Sequence, residues 1–278
     1  MKTSNQNLHD EAQFHDEWAD SVDITKIDVR QMCEACTAPE LRYIRATLGD
    51  LHGKRLLDVG CGLGEAGVYF ATLGAQVTLT DLSAGMLRAA ERLAVHHGVS
   101  VRIHQGAAET LKPQNDELFD IIYVGNAFHH IDITKTLDQL LPLLRPDGVL
   151  VSWDPMLYNP LIQLYRRLAK KVRTEEEHPL KAADVRLITC RFEQADTKFF
   201  WLFTQAVFIA MFALQWRHPG KERYWKKVIE EANRWAPIYQ PLEFLDRIVL
   251  CVFPFLGWLC WNVVIVARRP RYITRLRK

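Results

Sequence analysis

The run Asp58-Val59-Gly60-Cys61-Gly62-Leu63-Gly64 carries three glycines at alternate positions behind an acid. Glycine accepts positive φ and leaves space where a Cβ would stand, so this run predicts a turn whose backbone can approach a bound molecule. Asp81 follows 17 residues beyond Gly64. An acid ending the next strand can take hydrogen bonds from both hydroxyls of a ribose, although it could equally serve the N-terminus of a helix beginning at Ser83. Phe128-His129-His130-Ile131-Asp132 sets two imidazoles side by side, and histidine titrates near neutrality. Cys33-x-x-Cys36 has the spacing of a redox or zinc pair, but no second pair with zinc spacing follows it. Two small residues packed on one face of a helix before Pro39 are the plainer expectation, and no metal is expected.

These residues need elements to position them. Residues 10–47 read as helical, with a stop near Thr37-Ala38-Pro39. From Lys54 short apolar runs alternate with helical patterns. Strands are predicted at 55–60, 76–81, 101–105, 119–125 and 148–154, and helices at 65–74, 83–98 and around 133–144. Ser83 is the expected N-cap of the third of these blocks, and Gly74 and Gly98 the stops. Beyond residue 155 the pattern is mostly helical until the β-branched run 261–269, which suits a final strand. Strands alternating with crossover helices imply an α/β fold with a doubly wound, mainly parallel sheet.

Between residues 54 and 155 the chain resembles the class I S-adenosylmethionine-dependent methyltransferases of the type 11 group. The likeness rests on LLDVGCGLGEAG, VTLTDLSAGML, GAAETL, FDIIYVGNAFHHI and LLRPDGVLVSWDP, in the family's order. A nicotinamide dinucleotide fold would usually show Gly-x-Gly-x-x-Gly, whereas here Glu65 stands at the last position. The resemblance implies a seven-stranded Rossmann-like sheet with an N-terminal helical cap and a helical insertion before the last strand. It divides the chain into a cap (1–50), a cofactor-binding core (51–155), an acceptor-binding helical region with the last strands (156–270) and a basic tail (271–278). The implied cofactor is S-adenosylmethionine. Asp58 would orient its amino-acid end above the turn formed by Gly60, Cys61, Gly62 and Gly64, and Asp81 would hold the ribose. Leu82 and Met86 would flank the adenine, unless they are core residues of a helix face. Relatives often carry an Asp after the third-strand glycine, where this chain has Ala107. The adenine would then be read by backbone around Ala107 and Ala108, or by Glu109. Gly125 and Asn126 would line the methionine part. His129 matches the general-base position of many small-molecule O-methyltransferases, with His130 beside it; a surface loop or helix cap is the other reading of the pair. Asp154 and Tyr158 are further candidates facing the same pocket.

The implied reaction moves a methyl group to O, C or N of a small hydrophobic or lipid-like acceptor. The alternative is a non-catalytic relative that binds a partner or membrane through its apolar C-terminal half. With 35 Lys+Arg against 33 Asp+Glu in 278 residues, the net charge of +2 gives no field for capturing nucleic acid. Six cysteines are too few for a disulfide scaffold. The polar segment after Met1 lacks a signal-peptide core, so a reducing, cytoplasmic setting is expected. Two apolar runs, 199–214 and 248–267, flank the polar segment 221–235, and six basic groups fall in 268–278. Both runs read as helical, the second passing into the final strand. They suit core helices over the sheet or a surface that attaches peripherally to the inner membrane face. The sequence leaves the oligomeric state open.

Overall fold

The structure, a computed structural model, describes residues 4–111, 118–168, 178–215 and 224–271. Three helices, α1 (Ser4–Ser21), α2 (Val29–Glu34) and α3 (Pro39–Leu48), precede the sheet. The alternating part then runs β1 (Arg55–Val59), α4 (Glu65–Thr72), β2 (Gln76–Asp81), α5 (Ala84–His96), β3 (Arg102–Gln105), β4 (Phe119–Gly125), α6 (Ile133–Leu140) and β5 (Leu144–Pro155). The C-terminal part contains α7 (Pro160–Leu168), α8 (Ala182–Thr189), β6 (Phe192–Phe200), α9 (Ala206–Gln215), α10 (Tyr224–Glu230), α11 (Ala232–Val252) and β7 (Asn262–Pro270). The strand order is β3-β2-β1-β4-β5-β7-β6. Strands β1 to β5 pair in parallel, and β7 runs antiparallel to both β5 and β6.

Alternate residues of the central strands point to opposite faces, so each strand feeds two cores. Leu56, Ile121 and Val264 pack with Val68, Phe70 and Leu93 on one face. Leu57, Ile122 and Ile265 pack with Leu137, Leu140 and Ile188 on the other. Each fully buried side chain of this kind stabilises the fold by about 1.5–3 kcal/mol. Ser83 caps α5, its Oγ accepting from the Met86 N–H at 3.0 Å. Asp16 of α1 reaches the same helix end, accepting from the Gly85 N–H at 2.7 Å and from the Ser83 hydroxyl. The N-terminal helix is thereby fixed over the start of α5.

The C-terminal half departs from the sequence reading. Phe199 and Phe200 do not begin a helix: they end β6, paired with Val263 and Asn262. Helix starts only at Ala206. The cause lies far along the chain, where the buried Asp246 carboxylate accepts the N–H groups of Leu202, Phe203 and Thr204 and the Thr204 hydroxyl. Those donors are spent on a turn. β6 is an edge strand carrying Glu193, Asp196 and Lys198, charges that guard an open edge and hide its strand character. The run 248–267 splits among the end of α11, a 3-10 turn Pro254–Leu259 and β7, because proline cannot continue the helix hydrogen bonding. Cys36 lies beyond the end of α2, so Cys33 and Cys36 do not share a helix face; Cys33 is buried and Cys36 half-buried. Residues 221–223 of the polar segment and 272–278 of the basic tail lie outside the described residues.

Candidate active site

The parallel strands end on one side of the sheet, and a cavity of about 350 Å³ opens there. One end lies beneath the turn after β1. Gly60, Gly62 and Gly64 all have positive φ, at +67°, +55° and +80°. A Cβ at Gly60 would meet Ala127 Cβ at 2.9 Å, and one at Gly64 would meet Ala90 Cβ at 2.6 Å. At Gly62 it would meet nothing within 4 Å. Two glycines therefore pack the turn against its neighbours, and the middle one faces open space.

Asp58, Cys61, Gly62, Asp81, Leu82, Ala107, Ala108, Gly125, Asn126, His129 and His130 all line the cavity. Gly60 and Gly64 stand behind the turn. Met86 is fully buried in a cluster with Ala19, Leu63 and Ala89, so it is a core residue of α5 and not part of the wall. Asp81 accepts the Gly62 N–H through Oδ2 and the Ser83 N–H through Oδ1, each at 2.9 Å. It thus holds the glycine turn and the helix end together. Glu109 also lines the cavity and accepts the Asp132 N–H at 3.1 Å. Tyr158 is turned to the surface, where its hydroxyl accepts the Ala182 N–H.

Asp58 is completely buried, with the Gly67 backbone N–H as a hydrogen-bond donor to its carboxyl. Burial, reinforced by the Asp81 and Glu65 carboxylates, raises its pKa to about 8. An acid so placed gains most from a cation. Burial pushes the Cys61 thiol well up, which leaves it a packing residue and a poor nucleophile.

Beyond β4 the chain turns through Asn126, whose φ is +56°, into a 3-10 turn over Phe128–His130. His129 is buried, and its Nδ1 lies 2.8 Å from Asp154 Oδ1 at the end of β5. The same oxygen accepts the His129 backbone N–H at 3.2 Å. Burial pushes Asp154 well above the usual carboxylate range, against the pull of these backbone donors. The contact fixes the ring and engages Nδ1, so Nε2 is the nitrogen that can act on a ligand.

Away from the glycine turn the wall is aromatic: Trp153, Trp201, Trp225 and Trp261 line it, with Glu40, Asn262 and Arg166, while Trp18 packs near Leu63 beside the turn. Trp201 has φ +69° and stands at the start of the turn held by Asp246. Lys226 lies 5.0 Å over the Trp18 ring and pairs with Glu65 at 2.5 Å, joining α10 to α1 and α4. No short motif joins these positions; Trp201 belongs to the aromatic run 199–214, Trp261 and Asn262 to the apolar run 248–267, and the others carried no signal in the sequence. Among the described residues, no group of three or more His, Cys, Asp or Glu side chains is placed to hold a metal ion.

Residues 57–152 match the family described as a methyltransferase domain. The chain is 34% identical over 113 residues to the ubiquinone biosynthesis O-methyltransferase of Haemophilus ducreyi, covering 39% of this chain and 48% of that protein. It is 36% identical over 114 residues to the enzyme of the same name from Paraburkholderia phymatum, covering 39% and 49%. The chain thus spans about half the length of these relatives. In fold it is similar to the YcgJ protein of Bacillus subtilis, with a TM-score of 0.51, 18% identity, and 83% and 98% of the two chains covered. It is likewise similar to DhpI in complex with SAH, with a TM-score of 0.51, 20% identity, and 70% and 92% covered.

Proposed function

Since the region spanning residues 57–152 is a class I S-adenosylmethionine-dependent methyltransferase domain, we propose that this protein methylates a hydroxyl oxygen of a small, hydrophobic, lipid-like acceptor. One observation carries the reading. A single cavity runs from the glycine turn and Asp81 to a chamber of tryptophans, and His129 follows β4, which lies between β1 and β5 in the sheet.

The residues at the first end fit the cofactor. Gly62 leaves open space beside the turn, and the buried Asp58 carboxyl at the cavity wall suits a cationic amino group. Asp81 retains further lone pairs for ribose hydroxyls. When bound, S-adenosylmethionine supplies an electrophilic methyl group on a sulfonium. The protein's part is to orient the acceptor, exclude water and take a proton. His129 Nε2 accepts the acceptor hydroxyl's proton. The imidazolium that forms favours the ionised form of Asp154, which then holds the Nδ1–H and stabilises it. Transfer to oxygen is favoured over carbon or nitrogen by this oriented base, and by the names of the relatives.

A lipid-like acceptor agrees with the outer surface. Phe244, Ile248 and Val252 follow one side of α11 and are exposed, and Phe255 just beyond is 67% exposed. Ile209 and Phe212 of α9 are exposed as well, and Arg247 stands among the α11 residues. Apolar side chains of this size with a basic neighbour suit reversible attachment to an anionic membrane surface. No described helix is long and apolar enough to cross a membrane.

The direct test is incubation with methyl-labelled S-adenosylmethionine and 4-hexylcatechol. A labelled aryl methyl ether is expected. Cofactor binding without any ether, or label found only on carbon or nitrogen acceptors, would overturn oxygen transfer.

A further inference from the structure

Glu40 and Asn262 are buried polar side chains in a chamber walled largely by rings, including Trp201, Trp225 and Trp261. They are 6% and 5% exposed. They come from opposite ends of the chain, Glu40 from the first turn of α3 and Asn262 from the first position of β7. The Asn262 Nδ2 group donates to Glu40 Oε1 at 2.6 Å, and the Trp201 side chain also hydrogen bonds to the Glu40 carboxyl. Asn262 Oδ1, by contrast, has no hydrogen-bond partner among the described residues. Burial pushes the Glu40 pKa up to about 7; in its ionised form, turning the amide over would set two acceptor oxygens against each other, so the carboxylate fixes which way the amide points. A buried acceptor atom without a partner is thus left in the chamber wall, out of contact with bulk water.

Such an atom is costly to bury and is satisfied only by a donor. Arg42 does not supply one: its guanidinium binds Glu243 and the Cys36 carbonyl. We infer that Asn262, held by Glu40, reads a neutral hydroxyl on the ring of the acceptor, distinct from the hydroxyl that His129 deprotonates. A hydroxyl is favoured over an ammonium because Glu40 already receives two protein donors, leaving one amide oxygen to match one donor. The pair is a specificity determinant: a ring bearing an ether or hydrogen at this position leaves Oδ1 unsatisfied, and sites built this way reject such analogues strongly. This inference rests on the reading that the tryptophan chamber takes the acceptor.

The test is calorimetric and needs no turnover. The full chain with S-adenosylhomocysteine is titrated with 4-hexylphenol, 4-hexylanisole and 4-hexylbenzylamine. The phenol is expected to bind about tenfold or more tightly than the anisole. Asn262→Leu, which keeps the volume but removes the amide, should bring the two within about threefold and leave anisole affinity unchanged. Glu40→Gln keeps the side-chain shape and should give an intermediate ratio. It serves as the second variant if Asn262→Leu does not fold. If the pair only staples α3 to β7, these substitutions lower the melting temperature but preserve the phenol-to-anisole ratio. A preserved ratio, equal wild-type binding of phenol and anisole, or tighter binding of the benzylamine would each overturn the inference. Loss of methyl transfer with this ratio intact would instead count against the proposed reaction.

Discussion

The cavity end beneath the glycine turn is assembled from positions within 58–66, 81–82, 106–109 and 125–131, whereas the tryptophan chamber draws on positions as distant as 40, 153, 201, 225 and 261. The first end is made mostly of backbone and short side chains at strand ends, and its geometry follows from the parallel sheet. The second is made of large side chains carried by separate elements, and it exists only because those elements are locked together. Asp246 holds the turn that begins at Trp201, Asp16 ties α1 over α5, and Lys226 links α10 to Glu65. Cofactor geometry is thus a property of the fold, and acceptor geometry a property of a few polar contacts between elements.

The contrast can be broken most severely where the two ends meet. Asp154→Asn keeps the His129 ring in place but offers Nδ1 a donor, which leaves the proton on Nε2. Turnover of 4-hexylcatechol should fall about 10²-fold or more with cofactor affinity unchanged. Steady-state kinetics beside calorimetry would check this, and wild-type turnover would remove the pair from the reaction. Next in size, Asp246→Ala strips the partners from three N–H groups in the turn after β6. A loss of about 2–4 kcal/mol is expected in urea unfolding, together with weaker acceptor binding in the folded fraction. At the other end, Asp81→Ala should weaken S-adenosylmethionine at least about tenfold, since charge-assisted hydrogen bonds to hydroxyls are lost. Circular dichroism would verify that the fold survives.

A subtler effect concerns Asp58. Its pKa rises from the ordinary carboxylate range to about 8 on folding, with Asp81 and Glu65 facing it. A carboxyl raised in this way favours the folded state below its unfolded pKa, and that contribution is lost as pH rises toward 8. The ligand-free protein should therefore lose stability on the order of 1 kcal/mol per pH unit between about pH 4 and 8. Asp58→Asn should flatten that slope, and thermal melts across the pH range measure it. A cation beside Asp58 restores the ionised form, so cofactor binding near pH 7 should release a proton. Titration in buffers of different ionisation heat reads that proton directly. The smallest effect is expected outside the cavity. Phe255→Ser should reduce binding to anionic vesicles by about 1–2 kcal/mol and leave turnover of a soluble acceptor unchanged.

These differences also explain what the sequence made legible. The strands at 76–81 and 119–125, the cap at Ser83 and the glycine turn follow from local rules, in which each residue's neighbours along the chain decide its conformation. Asp81 and His129 could be singled out for the same reason. Met86 could not be assigned from its helix position alone, because α1 covers that side of α5 and takes it into the core. β6 was missed because its outward charges hide the alternation, and because pairing with β7, not propensity, makes it a strand. Glu40 and Asn262, separated by 222 positions, have no meaning in the sequence until β7 and α3 are brought together.

The Asp16 contact sets how tightly the cavity is roofed. The carboxylate that caps α5 belongs to α1, the helix that also carries His15 and Trp18 over the site. Lifting α1 must therefore leave the Gly85 N–H at the head of α5 without its acceptor and break the packing of Ala19 and Trp18 on Met86 and Leu63. A ligand passing under α1 must part that shared contact, and the sheet beneath keeps its own strand pairing when it does.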